Sequence, residues 1–318
     1  MNRSLNIDKL KEIITDNLSK LPVSLDSGRM PVSPARIVNG RGGRAPGFDY
    51  LNIDIYPPLI FITLYSDYQD EEIEQISSLV KTIFRDNPIL IQDRSIRPFK
   101  TRLKHGVLPD EMIIQEDGLK YYVNPLRGQN PGFFTDMRDG REWIRKCIEP
   151  GDHVLNLFAY TCALSVVSIA AGAAKVVNID KNRRSLDIGK KNHSINNEQI
   201  PGGYRNKAVF LPHDIFKSIG KLKKEGPYHL IVADPPPSQK GSFLLSKDYP
   251  RLLRRLSEML HPGGKLFLTH NGPGWSWEGF ENMISENLPD FHVLERIQPP
   301  EDFAPIEDGH GLKIIITR

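Results

Sequence analysis

Apolar positions along the chain switch between two periods, and the switches mark its elements. Leu5, Ile7, Leu10, Ile13, Ile14 and Leu18 recur at helical spacing over residues 5–20, and Pro22 ends that helix. Residues 50–65, YLNIDIYPPLIFITLY, read as two strands broken by Pro57-Pro58. Ile73, Ile76, Leu79, Val80 and Ile83 restore helical spacing over 71–84, and 89–92 reads as a short strand. Apolar runs at 112–115 and 119–124 flank Glu116-Asp117-Gly118, and Asp-Gly between such runs signals a hairpin. After Pro150-Gly151 the pattern becomes regular: strands near 154–158, 176–180, 208–211, 228–233 and 265–269 alternate with helical stretches at 182–196, 249–260 and 280–288. Two final strands, 291–297 and 312–317, have a Pro- and acid-rich loop between them and no helix, which suggests a closing antiparallel pair.

Strands alternating with helices predict a mostly parallel, doubly wound α/β sheet, preceded by a small α+β domain. The expected division is 1–35 as helix and linker, 36–105 as the small domain, 106–128 as a hairpin connector and 129–318 as the α/β domain. Ligands in such sheets bind beyond the carboxyl ends of the strands. There lie Asn156–Ala163, Asp180, Asp214, Asp234–Pro237 and Thr269–Asn271.

The unit Val154–Asp180 carries the chemistry. HVLNLF, AYTCALSVVSIAAGA and AKVVNID make one strand–helix–strand crossover, and Asp180 closes the second strand, where a carboxylate can hold ribose hydroxyls. A dinucleotide site would place glycines in the turn so that backbone could crowd a pyrophosphate. Here every residue from Asn156 to Ala163 has a Cβ. That fits a nucleoside with no phosphate to cradle, such as S-adenosylmethionine; the alternative is a plain crossover whose Asp180 caps the next helix. Asp214 is open in the same way, between an adenine amino partner and a helix cap.

Composition narrows the class. The 318 residues are 39% hydrophobic and 25% charged, as in a soluble globular protein of two domains. A net charge of +3 permits nucleic-acid binding without requiring it. Two cysteines indicate no disulfide framework. No run reaches the roughly 18 apolar residues of a membrane span, and the N-terminus has no apolar signal core, so a cytoplasmic protein without membrane or metal partners is expected. Basic residues cluster twice. Arg29, Arg36, Arg41 and Arg44 sit among the glycines and prolines of 22–48, either as a phosphate-contacting loop or as a solvated linker. Arg94, Arg97, Lys100, Arg102 and Lys104 follow, either tracking a nucleic-acid backbone or linking domains. NPGFFTDMRDGR at 130–141 could stack on an adenine and hold a carboxylate through an arginine, or simply start a helix near Asp136.

Taken in order, GFFTDMRDGR (132–141), VLNLFAYT (154–161), VVNID (176–180), HDIF (213–216) and ADPPPSQK (233–240) resemble the class I S-adenosylmethionine-dependent methyltransferases of 23S ribosomal RNA, the cytosine carbon-5 and guanine-N7 group. The resemblance covers 120–318, and 36–105 more loosely as that family's middle domain; residues 1–35 leave no room for the N-terminal RNA-binding module of some relatives. It implies a seven-stranded Rossmann-like sheet, S-adenosylmethionine as cofactor and ribosomal RNA as partner. It implies that Asp180 binds the ribose, Asp214 and Ile215 the adenine, and Asn156, Phe158, Tyr160 and Thr161 the methionine portion. Phe134 and Arg138 would close over the cofactor. Asp234, Pro235 and Pro236 would face the target base, with Asp234 also at the cofactor. Arg94, Arg97, Arg102, Phe243, His270 and Asn271 are the expected RNA contacts. The family's turn runs Tyr-Thr-Gly-Gly, whereas this one runs Tyr160-Thr161-Cys162-Ala163. Carbon-5 methylation needs a thiolate that adds to the ring. Where such relatives carry that cysteine this chain has Thr269-His270-Asn271 and Pro237-Ser238, which favours a base nitrogen such as guanine N7. The alternatives are a cytosine carbon-5 enzyme and an RNA-binding protein with little turnover.

Overall fold

A computed structural model describes residues 5–22, 30–126, 128–200, 202–236, 238–239 and 243–318. Arg29, Pro237 and Lys240, named above, lie outside the described residues. The chain forms two units, 1–135 with 301–307, and 136–300 with 308–318. Segment 129–135, expected within the α/β domain, therefore groups with the first unit, as does 301–307.

The first unit contains α1 (Ile7–Ser19), β1 (Ala35–Asn39), β2 (Leu51–Tyr56), β3 (Leu59–Leu64), α2 (Asp70–Phe84), β4 (Ile89–Asp93), β5 (Lys100–His105), β6 (Met112–Glu116) and β7 (Leu119–Val123). Its main sheet runs β1-β2-β3-β4-β5, with only β3 and β4 parallel, as the α2 crossover between them requires. Leu10 and Ile14 of α1 and Ile73, Ile76 and Val80 of α2 bury their stripes in a core with Ile37, Ile53 and Ile62. Asn6 caps α1 by accepting from the Lys9 N–H at 2.9 Å. The β6–β7 turn places Asp117 at φ 49° and Gly118 at φ 81°, two left-handed residues that suit the twist of a two-residue hairpin.

Part of each basic segment proves to be sheet. Neither a phosphate loop nor a linker describes 35–39, which is β1. Arg36 escapes the usual bar on charge in a strand because its register partner is Asp54 on β2; Nε donates at 2.7 Å and an Nη at 3.1 Å. Residues 100–105 form the edge strand β5, whose exposed Lys100 and Arg102 blunt an open edge. Segment 301–307 closes the unit: Asp302 accepts from the Arg36 N–H at 3.0 Å, and Ile306 N–H donates to Gly42 O at 3.0 Å.

The second unit contains α3 (Arg138–Cys147), β8 (His153–Leu157), α4 (Ala163–Ala170), β9 (Lys175–Ile179), α5 (Arg183–Ile195), β10 (Ala208–Leu211), α6 (Ile215–Glu225), β11 (Tyr228–Ala233), a ribbon of β12 (Ser238–Gln239) and β13 (Phe243–Leu244), α7 (Leu245–Leu256), β14 (Leu260–His270), α8 (Trp277–Asn287), β15 (Val293–Ile297) and β16 (Lys313–Thr317). Its seven-stranded sheet runs β10-β9-β8-β11-β14-β16-β15. β10 to β14 are parallel neighbours, and β16 inserts antiparallel to both β14 and β15. The final strands do pair antiparallel, but the last one enters the sheet between β14 and β15 and so brings Lys313 beside His270. The order reverses between β8 and β11, and the crevice at that switch point is where a parallel sheet opens for a ligand.

Candidate active site

Five strands deliver polar groups to the carboxyl edge of the sheet. β8 ends in the turn 158–162, whose φ values are +56° at Phe158, +47° at Tyr160 and +61° at Cys162. Left-handed backbone at a residue with a Cβ costs on the order of 1–3 kcal/mol and persists where surrounding contacts over-determine it. The holding contacts begin with backbone. Ala159 N–H donates to Ile179 O at 3.1 Å, and Cys162 N–H to Ala159 O at 2.7 Å. Tyr160 N–H donates to Asp180 Oδ2 at 2.9 Å, while Asn182 N–H donates to Asp180 Oδ1 at 2.7 Å. Each Asp180 oxygen thus keeps a second lone-pair direction. Burial lifts the Asp180 carboxyl above its ordinary value, tempered by these two N–H donors. Burial, and then the Asp180 charge, push the Tyr160 phenol up to about 12.

β10 delivers Asp214, which caps α6 by accepting from Lys217 N–H at 3.2 Å; Ile215 beside it is buried. The cap role is therefore real and leaves the second carboxylate oxygen for another partner. β11 delivers Asp234, followed by Pro235 and Pro236. Thr269 at the end of β14 donates its hydroxyl to Asp234 Oδ1. Burial raises Asp234 to about 6; the Thr269 bond opposes that shift and the Asp136 charge adds to it. Tyr249 of α7 steadies the same loop, donating from its hydroxyl to Ala233 O at 3.2 Å.

A dinucleotide does not fit this turn. The N–H groups of Ala159, Tyr160 and Cys162 are all spent within the fold, so these amides form no nest for a phosphate. A carboxylate with spare lone pairs suits vicinal hydroxyls instead, which is the requirement of a bare nucleoside. The profile of the S-adenosylmethionine-dependent methyltransferase family matches residues 35–318. This chain belongs to that family.

The methyltransferase is 27% identical over 291 residues to "Ribosomal RNA large subunit methyltransferase I" of Aeromonas salmonicida, spanning 86% of this chain and 72% of that one. The protein of the same name from Shewanella amazonensis is 26% identical over 338 residues, spanning 99% and 84%. Among solved structures, a Streptococcus mutans S-adenosylmethionine-dependent methyltransferase superposes with a TM-score of 0.84 at 22% identity, over 100% of this chain and 82% of that one. A likeness of that identity speaks for the fold.

Several residues expected at the site of the methyltransferase have partners within the fold, and others are exposed. Asn156 is buried, and its Nδ2 donates to Asn178 Oδ1 at 2.9 Å. Phe243 is core, its ring 4.9 Å from Phe158 and 6.5 Å from Phe216. His270 is buried as well; Nδ1 accepts from Gly272 N–H at 3.1 Å, and Trp275 and Phe280 cover the ring at 4.6 and 5.2 Å. Burial holds it neutral, down at about 4. Of that pair only Asn271 is exposed. Arg94 is a strut, donating to Gln92 Oε1 and to Gln129 O and lying over Tyr65. Arg97 and Arg102 remain exposed. Phe134 is exposed in the first unit, and Arg138 opens α3 in the second, with Asp139 at 3.9 Å. The residues that back the turn, Ser165, Asn178, Gly189, Asn192 and His193, were not foreseen. Their signal was a matched asparagine in each of two apolar strands, VLNLF and VVNID. Among the described residues no cluster of His, Cys, Asp and Glu is arranged for a metal, and no helix is long and apolar enough to cross a membrane.

Proposed function

We propose that this methyltransferase modifies large-subunit ribosomal RNA at a base nitrogen, guanine N7 in particular. The observation that carries the choice of atom is the placement of the two cysteines. Cys162 is fully buried in the turn beneath the cofactor position, and burial pushes its thiol well above the ordinary value. Cys147 ends α3, where Lys265 Nζ lies 3.4 Å from its sulfur; its thiol is also raised, burial outweighing Lys265. Neither is a thiolate beside Asp234, and carbon-5 chemistry needs one. Guanine N7 offers its own lone pair and requires no covalent partner. Ribosomal RNA as substrate is supported by the names of the two relatives above.

Bound S-adenosylmethionine supplies an electrophilic methyl on its sulfonium. The remaining work falls to residues of the chain. Asp180 fixes the ribose, Asp214 and Ile215 the adenine, and the 158–162 backbone the methionine portion. Asp234 orients the base by accepting from it, on a loop stiffened by Pro235 and Pro236 and clamped by Thr269. Alignment of this kind is worth roughly 7–11 kcal/mol of barrier at best, enough to serve as the main catalytic device. Arg97, Lys100 and Arg102 on the β5 side of the first unit supply phosphate contacts.

The test is labelled-methyl transfer to ribosomal RNA from a strain lacking this protein, followed by nucleoside mass spectrometry. The expected product is 7-methylguanosine. Recovery of 5-methylcytidine would overturn the choice of atom, and transfer to no ribosomal RNA would overturn the substrate.

A further inference from the structure

Three residues of the 158–162 turn are left-handed without being glycine, and α5 adds to the contacts that hold the turn at its Thr161–Cys162 end. Asn192 Nδ2 donates to Thr161 O at 2.9 Å, from a fully buried position. Asn196 Nδ2 in turn donates to Asn192 O at 2.7 Å. Gly189, on the same helix, makes room for Cys162: a Cβ there would stand 2.5 Å from Cys162 Sγ and 3.0 Å from its Cβ. The cysteine sits in the turn at 162 and the glycine stands opposite it at 189.

α5 is itself tied to the strands by hydrogen bonds that run in one direction. Asn156 Nδ2 donates to Asn178 Oδ1 at 2.9 Å, and Asn178 Nδ2 donates to Ser165 Oγ at 3.0 Å and Val209 O at 3.3 Å. Ser165 Oγ lies 2.9 Å from His193 Nε2, and His193 Nδ1 lies 2.8 Å from Gly189 O. A carbonyl only accepts, so Nδ1 carries the proton and Nε2 accepts from Ser165. Burial keeps the imidazole neutral, pushing it down to about 4. A fully satisfied buried network of this kind specifies one arrangement. It has members on β8, β9, α4 and α5. Asn156 and Asn178 are register partners, each two residues before a group at the site, Phe158 and Asp180.

We propose that Gly189, Asn192 and the Ser165–His193 bond are positioning residues that set the spacing between the 158–162 backbone and the Asp180 carboxylate, and through it the affinity for S-adenosylmethionine. This rests on the reading of that rim as the cofactor site. The residues touch no cofactor; they act through the turn.

The test is calorimetric titration of the full-length protein with S-adenosylhomocysteine, paired with melting temperatures and with kcat at saturating cofactor. Gly189→Ala raises Kd at least tenfold with kcat within about twofold, and the double variant Cys162→Gly/Gly189→Ala returns to within about threefold of Cys162→Gly alone. Ser165→Ala raises Kd about fivefold and Ser165→Thr, which keeps the hydroxyl, restores it. Should Gly189→Ala not fold, the Ser165 pair decides: a lower melting temperature with unchanged Kd means packing only and overturns the proposal. So does a folded Gly189→Ala that binds as wild type, or a double variant that binds no better than Gly189→Ala. Asp180→Ala separates the layers. If it weakens binding while the α5 variants do not, this inference alone fails; if it binds as wild type, the site reading itself fails.

Discussion

In sequence, the arginines of the first unit and the rim carboxylates of the other are alike in one respect: both are ionised residues that read as candidate ligand contacts. Their surroundings differ. Arg36 is spent on Asp54 and lies over Phe303, Arg41 lies over Tyr65, and Arg44 donates to Ala304 O at 2.6 Å. Each of these has its charge or its donors taken up by its own unit. Asp180 and Asp234 are held by neutral donors, with no cation bonded to either among the described residues, and burial lifts both above the ordinary carboxylate value. A charge neutralised by its own neighbours is scaffold; a carboxylate kept partly desolvated without a counter-ion is poised for something from outside.

That contrast can be broken by substitution. The largest effect belongs to the scaffold. Arg36→Ala leaves the buried Asp54 carboxylate unpaired and should cost about 3 kcal/mol of first-unit stability, read by urea denaturation, with cofactor binding intact in the folded fraction. Next comes Asp180→Ala, which should weaken S-adenosylhomocysteine by about 1–3 kcal/mol, roughly 5- to 150-fold, measured by calorimetry on the folded protein.

Asp234 gives a pH signature. Its value of about 6 predicts methyl transfer that rises with pH through that point, because the ionised form is the better acceptor for a base. Thr269→Val removes the donor that opposes the shift and should move the profile to higher pH. Stability runs the other way. A carboxyl raised on folding contributes stability that is full below its ordinary value and lost as pH rises through about 6. Asp234→Asn should therefore lose less stability than wild type between about pH 4 and pH 7, measured by urea melts at each. The smallest effect concerns RNA. Arg102→Gln should lower the salt slope of RNA binding by about 1. Arg94→Gln should leave that slope unchanged and cost stability, because Arg94 is a strut.

What the sequence disclosed follows the range of the forces involved. Periodicity is local, so the alternation of strands and helices was legible, as were the Asp117-Gly118 hairpin and Asp180 at the end of β9. β1 was hidden because Arg36 reads as a loop residue until Asp54, across the sheet, neutralises it. Phe243 and His270 read as exposed loop chemistry because the rings that bury them, Phe158, Phe216, Trp275 and Phe280, arrive from other elements. Asn156 sat at the expected edge, yet its partner Asn178 belongs to the neighbouring strand and draws it inward. The insertion of β16 between β14 and β15 leaves no mark in local pattern at all.

The central claim is that the carboxyl rim of β9, β8 and β11, with Asp180 at the end of β9, receives the adenosine of the methyl donor. A crystal structure with S-adenosylhomocysteine tests it most directly. The account predicts both ribose hydroxyls on the Asp180 carboxylate and the amino-acid end against the 158–162 backbone. Ligand bound away from Asp180, with that carboxylate still facing only its two backbone amides, would contradict it.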